Sequence, residues 1–225
     1  MPLGNDIGKF LFSVAEQKDG FSFGKPWRQS NTSLGLVIPI LREKAPKRGY
    51  KMVEETKKGD VTIQDTGAVN TASVSSDVDF NVFIRSGSIL EGKGQTRAVV
   101  SGIIVLPNGR ENIEVKCVYL SKPTHAGAEM TISDVAPPII MQSLKSSQRE
   151  TWNSVSSYYA CAEARLSAMH GSGGRRIGMV RSRDDDLLGT MREVQKVKKS
   201  IEGAIKDIPL MKNQVGAIIF DISTI

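Results

Sequence analysis

The chain has 225 residues, of which 40% are hydrophobic and 24% charged, proportions near the globular average that exclude a disordered or fibrous protein. Two cysteines, Cys117 and Cys161, are too few for a secreted disulfide framework, and each falls in an apolar pattern where a buried free thiol is expected. The net charge of +6 is concentrated late, with 13 Lys or Arg against 8 Asp or Glu over residues 144–212, a bias that suits contact with a polyanion or simple solubility.

Residues Asn5 to Gln17 place Ile7, Phe10, Leu11 and Val14 at helical spacing behind a possible cap at Asn5 or Asp6, which predicts a short amphipathic helix. No stretch of about 18 apolar residues occurs, and the opening MPLGNDIGKF lacks the apolar core of a signal peptide, so a cytoplasmic protein without membrane contact is expected. Lys18 to Ser33 reads as irregular, and Leu34 to Leu41 as a buried strand ended by Ala45-Pro46-Lys47-Arg48-Gly49. Short strands with one wet face follow at Val61 to Ile63 and Val69 to Val74.

The centre of the chain, Asp79 to Lys122, holds three runs rich in β-branched residues: Val82 to Ile84, Ala98 to Leu106 and Ile113 to Leu120. Gly-rich and Pro107-Asn108-Gly109 connectors between them predict consecutive strands joined by hairpins. Ser121 to Pro138 reads as a loop-rich crossing that ends the β part.

The periodicity then changes. Ser147-Gln148-Arg149-Glu150 is a capping-box pattern, because the serine oxygen can accept from the backbone N–H three residues on while the glutamate reaches back. Behind it Trp152, Val155, Tyr159, Ala162, Leu166 and Met169 fall on one helical stripe that Gly171 stops. A second helix starts at Asp184-Asp185-Asp186 and carries Leu187, Met191, Val194, Val197, Ile201, Ile205 and Ile208 as its seam. Val215 to Ile222 reads as a closing strand. The expected fold is α+β in a single domain: an antiparallel β-rich body at about 34–120, a helical pair at about 147–208 and a final strand at 215–222.

Several blocks occur in an order similar to that of a known family. They are Gly59-Asp60-Val61 with Thr62-Ile63; Gly87, Leu90, Gly92, Gln95 and Arg97; Ile113, Val115, Cys117 and Val118; and Gln148 with Trp152, followed by Asn213-Gln214-Val215-Gly216-Ala217. The pattern resembles the uncharacterised proteins named for their genomic association with ADP-ribosylglycohydrolase and rhodanese/phosphatase-type proteins. That resemblance implies handling of a nucleotide-derived or ADP-ribose-like ligand. The chain departs from the family at Ser86 and Ser88 and at Tyr119, where relatives tend to carry acids, and in Leu120-Ser121-Lys122, which replaces a Gly-Arg-Trp continuation. Loss of those carboxylates removes the most plausible general acids and bases.

The first candidate ligand site is Gly92, Gly94, Gln95 and Arg97, where glycines permit close backbone approach beside an amide and a guanidinium. The ordinary reading is a bulged hairpin in which Arg97 pairs with a carboxylate such as Glu91. A second candidate, for anions or nucleic acid, combines Arg175 and Arg176 in the Gly/Ser-rich loop with a basic helix face of Arg192, Lys196, Lys199 and Lys206. A connector and a solvated face account for these as well.

The only histidines, His125 and His170, lie outside ligand spacing of either cysteine, so no metal and no cofactor is expected, and Cys117 with His125 fits no nucleophile motif. The function expected is a non-catalytic binding or assembly protein, homo-oligomeric through its apolar seams and recognising a nucleotide-derived or other anionic small ligand. A nucleic-acid or polyanion binder and an ADP-ribose- or nucleotide-processing enzyme are the alternatives.

Overall fold

The computed structural model describes residues 3–28, 36–44, 47–119, 123–169, 187–194 and 211–220. In chain order the elements are α1 (Leu3–Ala15), β1 (Phe21–Phe23), β2 (Trp27–Arg28), β3 (Leu36–Arg42), β4 (Lys51–Met52), a 3-10 turn (Val53–Glu55), β5 (Val61–Asp65), β6 (Thr71–Ser76), β7 (Val82–Ile84) and β8 (Ser88–Gly92). They continue with β9 (Arg97–Val99), β10 (Ile103–Val105), β11 (Arg110–Cys117), β12 (Glu129–Val135), α2 (Pro138–Ser143), α3 (Gln148–Met169), α4 over 187–194 and β13 (Gln214–Phe220). The fold is α+β, and the chain divides into two compact units, residues 1–47 with 198–225 and residues 48–197.

In the first unit β3 is the central strand. It pairs antiparallel with β1 and β2 on one side and with β13 on the other. Val14 of α1 packs with Phe21 and Ile40, and the Phe10 ring meets Phe21 edge-on at 5.5 Å between centroids. The closing strand therefore joins β3, with a bulge between Gln214 and Gly216, and Asn213 just before the strand has φ +64°.

The second unit is built on a closed antiparallel barrel in the order β11-β6-β5-β12-β8-β9. Closure removes free strand edges, and alternate residues of every strand point inward. Ile63, Ala72, Val74, Leu90, Val99, Ile113, Val115 and Met130 form the inward core, joined by Ile84 and Val105 from the small sheet β10-β7-β4. Neighbouring residues of opposite parity, Ile89 and Ala98, belong to a separate cluster outside the wall. There Val100, Val118 and Ala136 pack with Ile140 and Leu144, with Val155 of α3, and with Leu187, Leu188 and Met191 of α4.

The capping box forms as the pattern predicts: the Glu150 backbone N–H donates to Ser147 Oγ at 3.2 Å and the Ser147 N–H to Glu150 Oε2 at 3.0 Å. Val155 and Ala162 of the predicted stripe are buried, and Tyr159 packs on the outer cluster. So far as it is described, this seam is consumed by the barrel wall and the neighbouring helices of the same chain rather than left for a partner. Gly171 and the seam from Val197 to Ile208 lie outside the described residues.

Several expectations change, beginning with Lys18 to Ser33, read as irregular, which holds β1 and β2 because both pair with β3. The apolar run from Ala98 to Leu106 is two strands, because the chain leaves the barrel at Ser101-Gly102 and β10 pairs with β7. Pro107-Asn108-Gly109 does make a turn, with Asn108 at φ +51° and the Gly109 N–H on the Leu106 carbonyl, but β10 and β11 lie in different sheets and form no hairpin. The β part does not end at Leu120, since β12 is a barrel strand between β5 and β8. Cys117 is a buried thiol as expected, whereas Cys161 is exposed on α3.

Candidate functional site

Three of the family-like blocks, those of Arg97, of Cys117 and of Gln148 with Trp152, meet at one region of the barrel wall, whereas Asn213 to Ala217 belongs to the other unit. Arg97, the first residue of β9, faces Leu90 of β8 and Cys117 of β11 in register, and shares the inward face of Val99. It is fully buried. Its Nη2 donates to Asp65 Oδ1 at 2.8 Å and its Nη1 to the Thr71 carbonyl at 2.7 Å, tying the ends of β5 and β6 across the interior. A buried guanidinium requires such a counter-charge, so the partner of Arg97 is Asp65 and not Glu91.

Asp65 is fixed from three directions. Burial alone would raise its pKa, but the backbone N–H groups of His125 and Gly67, with Arg97 beside them, hold it below the usual carboxylate range. The His125 N–H reaches Oδ2 at 2.8 Å and the Gly67 N–H reaches Oδ1 at 2.7 Å. His125 is thereby bound to Asp65 through its backbone. The thiol of Cys117 donates to the Tyr119 carbonyl at 2.8 Å.

The first turn of α3 clamps the end of β11. Gln148 Oε1 accepts from the Cys117 N–H at 3.0 Å and Gln148 Nε2 donates to the Cys117 carbonyl at 2.7 Å, so one amide satisfies both halves of one peptide position. One turn on, the Trp152 indole lies close enough to the sulfur to favour its ionised form, yet Nε1–H makes no hydrogen bond of normal geometry. Burial nonetheless dominates and pushes the Cys117 thiol up, against the opposing pull of the Tyr119 backbone, Arg97 and Trp152. A thiol held protonated is a packing group, not a nucleophile.

Gly92 and Gly94 are used by the fold itself. A methyl group at Gly92 would meet the Glu129 carbonyl oxygen at 2.9 Å, and one at Gly94 the Pro123 carbonyl oxygen at 2.8 Å. Both glycines therefore press against their own chain rather than opening a cradle. Gln95 stands in the same β8–β9 turn with a buried, unpartnered Oε1. Ser88, where the resemblance leads one to expect an acid, is fully buried with its hydroxyl unpartnered.

Of the second candidate set, Arg192 on α4 is engaged by Glu91 Oε2 at 3.2 Å, which takes it out of a free basic face. Arg175, Arg176, Lys196 and Lys199 lie outside the described residues, as does Lys206. Among the described residues no group of three or more His, Cys, Asp or Glu is placed to hold a metal ion, and no helix is long and apolar enough to cross a membrane.

Concavities among the described residues open on the barrel. One, of about 620 Å³, lies over the outward face of β5, β6 and β11 and is lined by Thr62, Gln64, Ser73, Ser75, Arg110 and Asn112. A second, of about 250 Å³, lies where β5 and β12 part. Sequence reasoning named neither, because each is assembled from strands distant in the chain. It also passed over Asp65 as the charge partner of Arg97, 32 positions away.

No curated protein and no solved structure matches the chain, but the model of one family, the ARG and Rhodanese-Phosphatase-superfamily-associated Protein domain, matches residues 20–223. With nearly its whole length covered by that match, the chain belongs to the ARG and Rhodanese-Phosphatase-superfamily-associated Protein domain family.

Proposed function

We propose that the chain is a non-catalytic binding protein, in which the barrel is a rigid platform and the region of Arg97, Cys117 and Trp152 takes an oxygen of a small nucleotide-derived ligand. The supporting observation is Arg97 Nε, a donor on a side chain with 0% exposure and no hydrogen-bond partner among the described residues. The Trp152 indole N–H, on a half-buried side chain beside the Cys117 sulfur, is a second donor without a hydrogen bond of normal geometry among the described residues. A buried N–H left unmade costs about 1–3 kcal/mol, so both call for an oxygen from outside the chain. The Arg97 charge is already matched by Asp65, which favours a carbonyl or ribose hydroxyl there over a phosphate. The protonated state of Cys117 favours binding over bond-breaking.

The test is calorimetric titration with ADP-ribose, AMP, ribose 5-phosphate and inorganic phosphate, repeated on Trp152→Phe, which removes one N–H and little volume. A ribose-bearing ligand is expected to bind and to weaken roughly tenfold in the variant. Absence of binding by all four, or equal binding by the variant, sinks the reading.

Self-association is a second reading, favoured by three consecutive large apolar residues on α1. Phe10, Leu11 and Phe12 are 47%, 59% and 57% exposed. Such a contiguous patch suits an interface between copies. Light scattering across a concentration series, with Leu11→Glu as the disrupting variant, tests it; a monomer throughout ends it.

A further inference from the structure

The barrel closes unevenly. Strands β5 and β12 are in register only at Gln64↔Glu129 and Ile63↔Met130, whereas β5 pairs with β6 along its full length and β12 runs on against β8 to Val135. Beyond Ile63 the two strands part, and the 250 Å³ slot opens there. Its floor is the barrel core at Ile63 and Met130, and its walls are Val61, Ile132 and Val53.

The residues over the slot are held by their own hydrogen bonds. Thr56 donates from Oγ1 to the Val53 carbonyl at 2.6 Å, the Met52 N–H donates to Glu55 Oε2 at 2.7 Å, and the Lys57 N–H to Asp60 Oδ2 at 2.8 Å. The slot is thus preformed, which reduces the ordering cost of binding. Lys57 and Lys58 stand exposed at its mouth. Of the two acids at the rim, Glu54 is taken by Arg85 through Nε at 3.1 Å, leaving Glu129 to set against two lysines.

We propose that this seam binds a medium-chain aliphatic carboxylate. The apolar body would lie against Val53, Val61, Ile63, Met130 and Ile132, with its carboxylate at Lys57 and Lys58. The volume is slightly below the roughly 300 Å³ at which sites for drug-sized ligands begin, so the occupant is smaller than a nucleotide. The charge at the mouth selects an anion over an alcohol of equal length. This site is separate from the Arg97 region and does not rest on it.

The experiment is a titration of the full chain with octanoate, followed by backbone amide NMR, with octan-1-ol as the uncharged control. Saturable shifts confined to residues 53–63 and 129–132 are expected, with Kd on the order of 1 mM. Ile132→Trp fills the slot and should abolish them. The double variant Lys57→Glu with Lys58→Glu alters only exposed side chains, so it should fold normally and bind about fivefold or more weakly. Trp152→Phe should leave the octanoate titration unchanged, so this site and the Arg97 site can fail separately. The inference is overturned by no saturable shift, by octanol binding as tightly as octanoate, by unchanged affinity in the double lysine variant, or by loss of binding in Trp152→Phe.

Discussion

Arg97 and Asp65 form an ion pair sealed inside the barrel, Nη2 to Oδ1 at 2.8 Å, with the two side chains 0% and 2% exposed. The pair links β9 to β5, strands that are not neighbours in the barrel. It therefore spans the interior, where its replacement by apolar groups and its disruption have very different consequences.

Asp65→Ala strands a buried guanidinium and is expected to cost about 3–5 kcal/mol, whereas Asp65→Leu combined with Arg97→Met should restore much of the loss. Urea unfolding of the two variants checks this. Equal stability of Asp65→Ala and the wild type would contradict the pair as drawn.

The same carboxylate gives a pH signature. Its folded-state pKa lies below the ordinary value, so its contribution is fully present above about pH 4 and is lost as pH falls through the depressed folded value. Thermal unfolding between about pH 2 and 7 should show this acid-side loss and a smaller one in Asp65→Asn. An identical acid limb in both proteins would rule out Asp65 as a source.

Gln148 matches both polar groups of the Cys117 peptide position, so Gln148→Ala should destabilise the protein by about 1–3 kcal/mol. Gln148→Glu should be no better, because a carboxylate oxygen would face the Cys117 carbonyl. Denaturant midpoints at neutral pH decide the order. Full rescue by glutamate would mean that only the acceptor matters.

The two thiols should separate by reactivity. Native protein at pH 8 is expected to expose one thiol, Cys161, to a disulfide reagent, while Cys117 reacts only after denaturation. Comparison of native and urea-treated protein, with Cys161→Ser as control, reads the result. Rapid native labelling of Cys117 would refute its protonated, sealed state.

Glycine positions give opposite signs. Gly94→Ala sets a methyl against the Pro123 carbonyl and the His125 backbone and should cost about 1–3 kcal/mol. Gly8→Ala, in α1 with open space around it, should stabilise by up to about 1 kcal/mol. Thermal melts of the two variants test the contrast.

The capping box at Ser147, the stripe through Val155 and Ala162, and the strands at Val82 and Ile113 were legible because each depends on neighbours a few positions apart. Strand β12 was harder: Met130 and Ile132 alternate with polar residues, but nearby prolines and glycines dominate that stretch and mask a signal only four residues long. The pairing of Arg97 with Asp65, the clamp of Gln148 on Cys117 and the seam between β5 and β12 each join residues about 30 or more positions apart, and closure of the barrel joins strands that are not consecutive in the chain. Periodicity carries no information about such partners, because side-chain direction is set by the local backbone while register and counter-charge are set by how the strands meet. Local spacing was thus sufficient for many of the elements and for the family, and packing alone decided which polar groups are matched inside the fold.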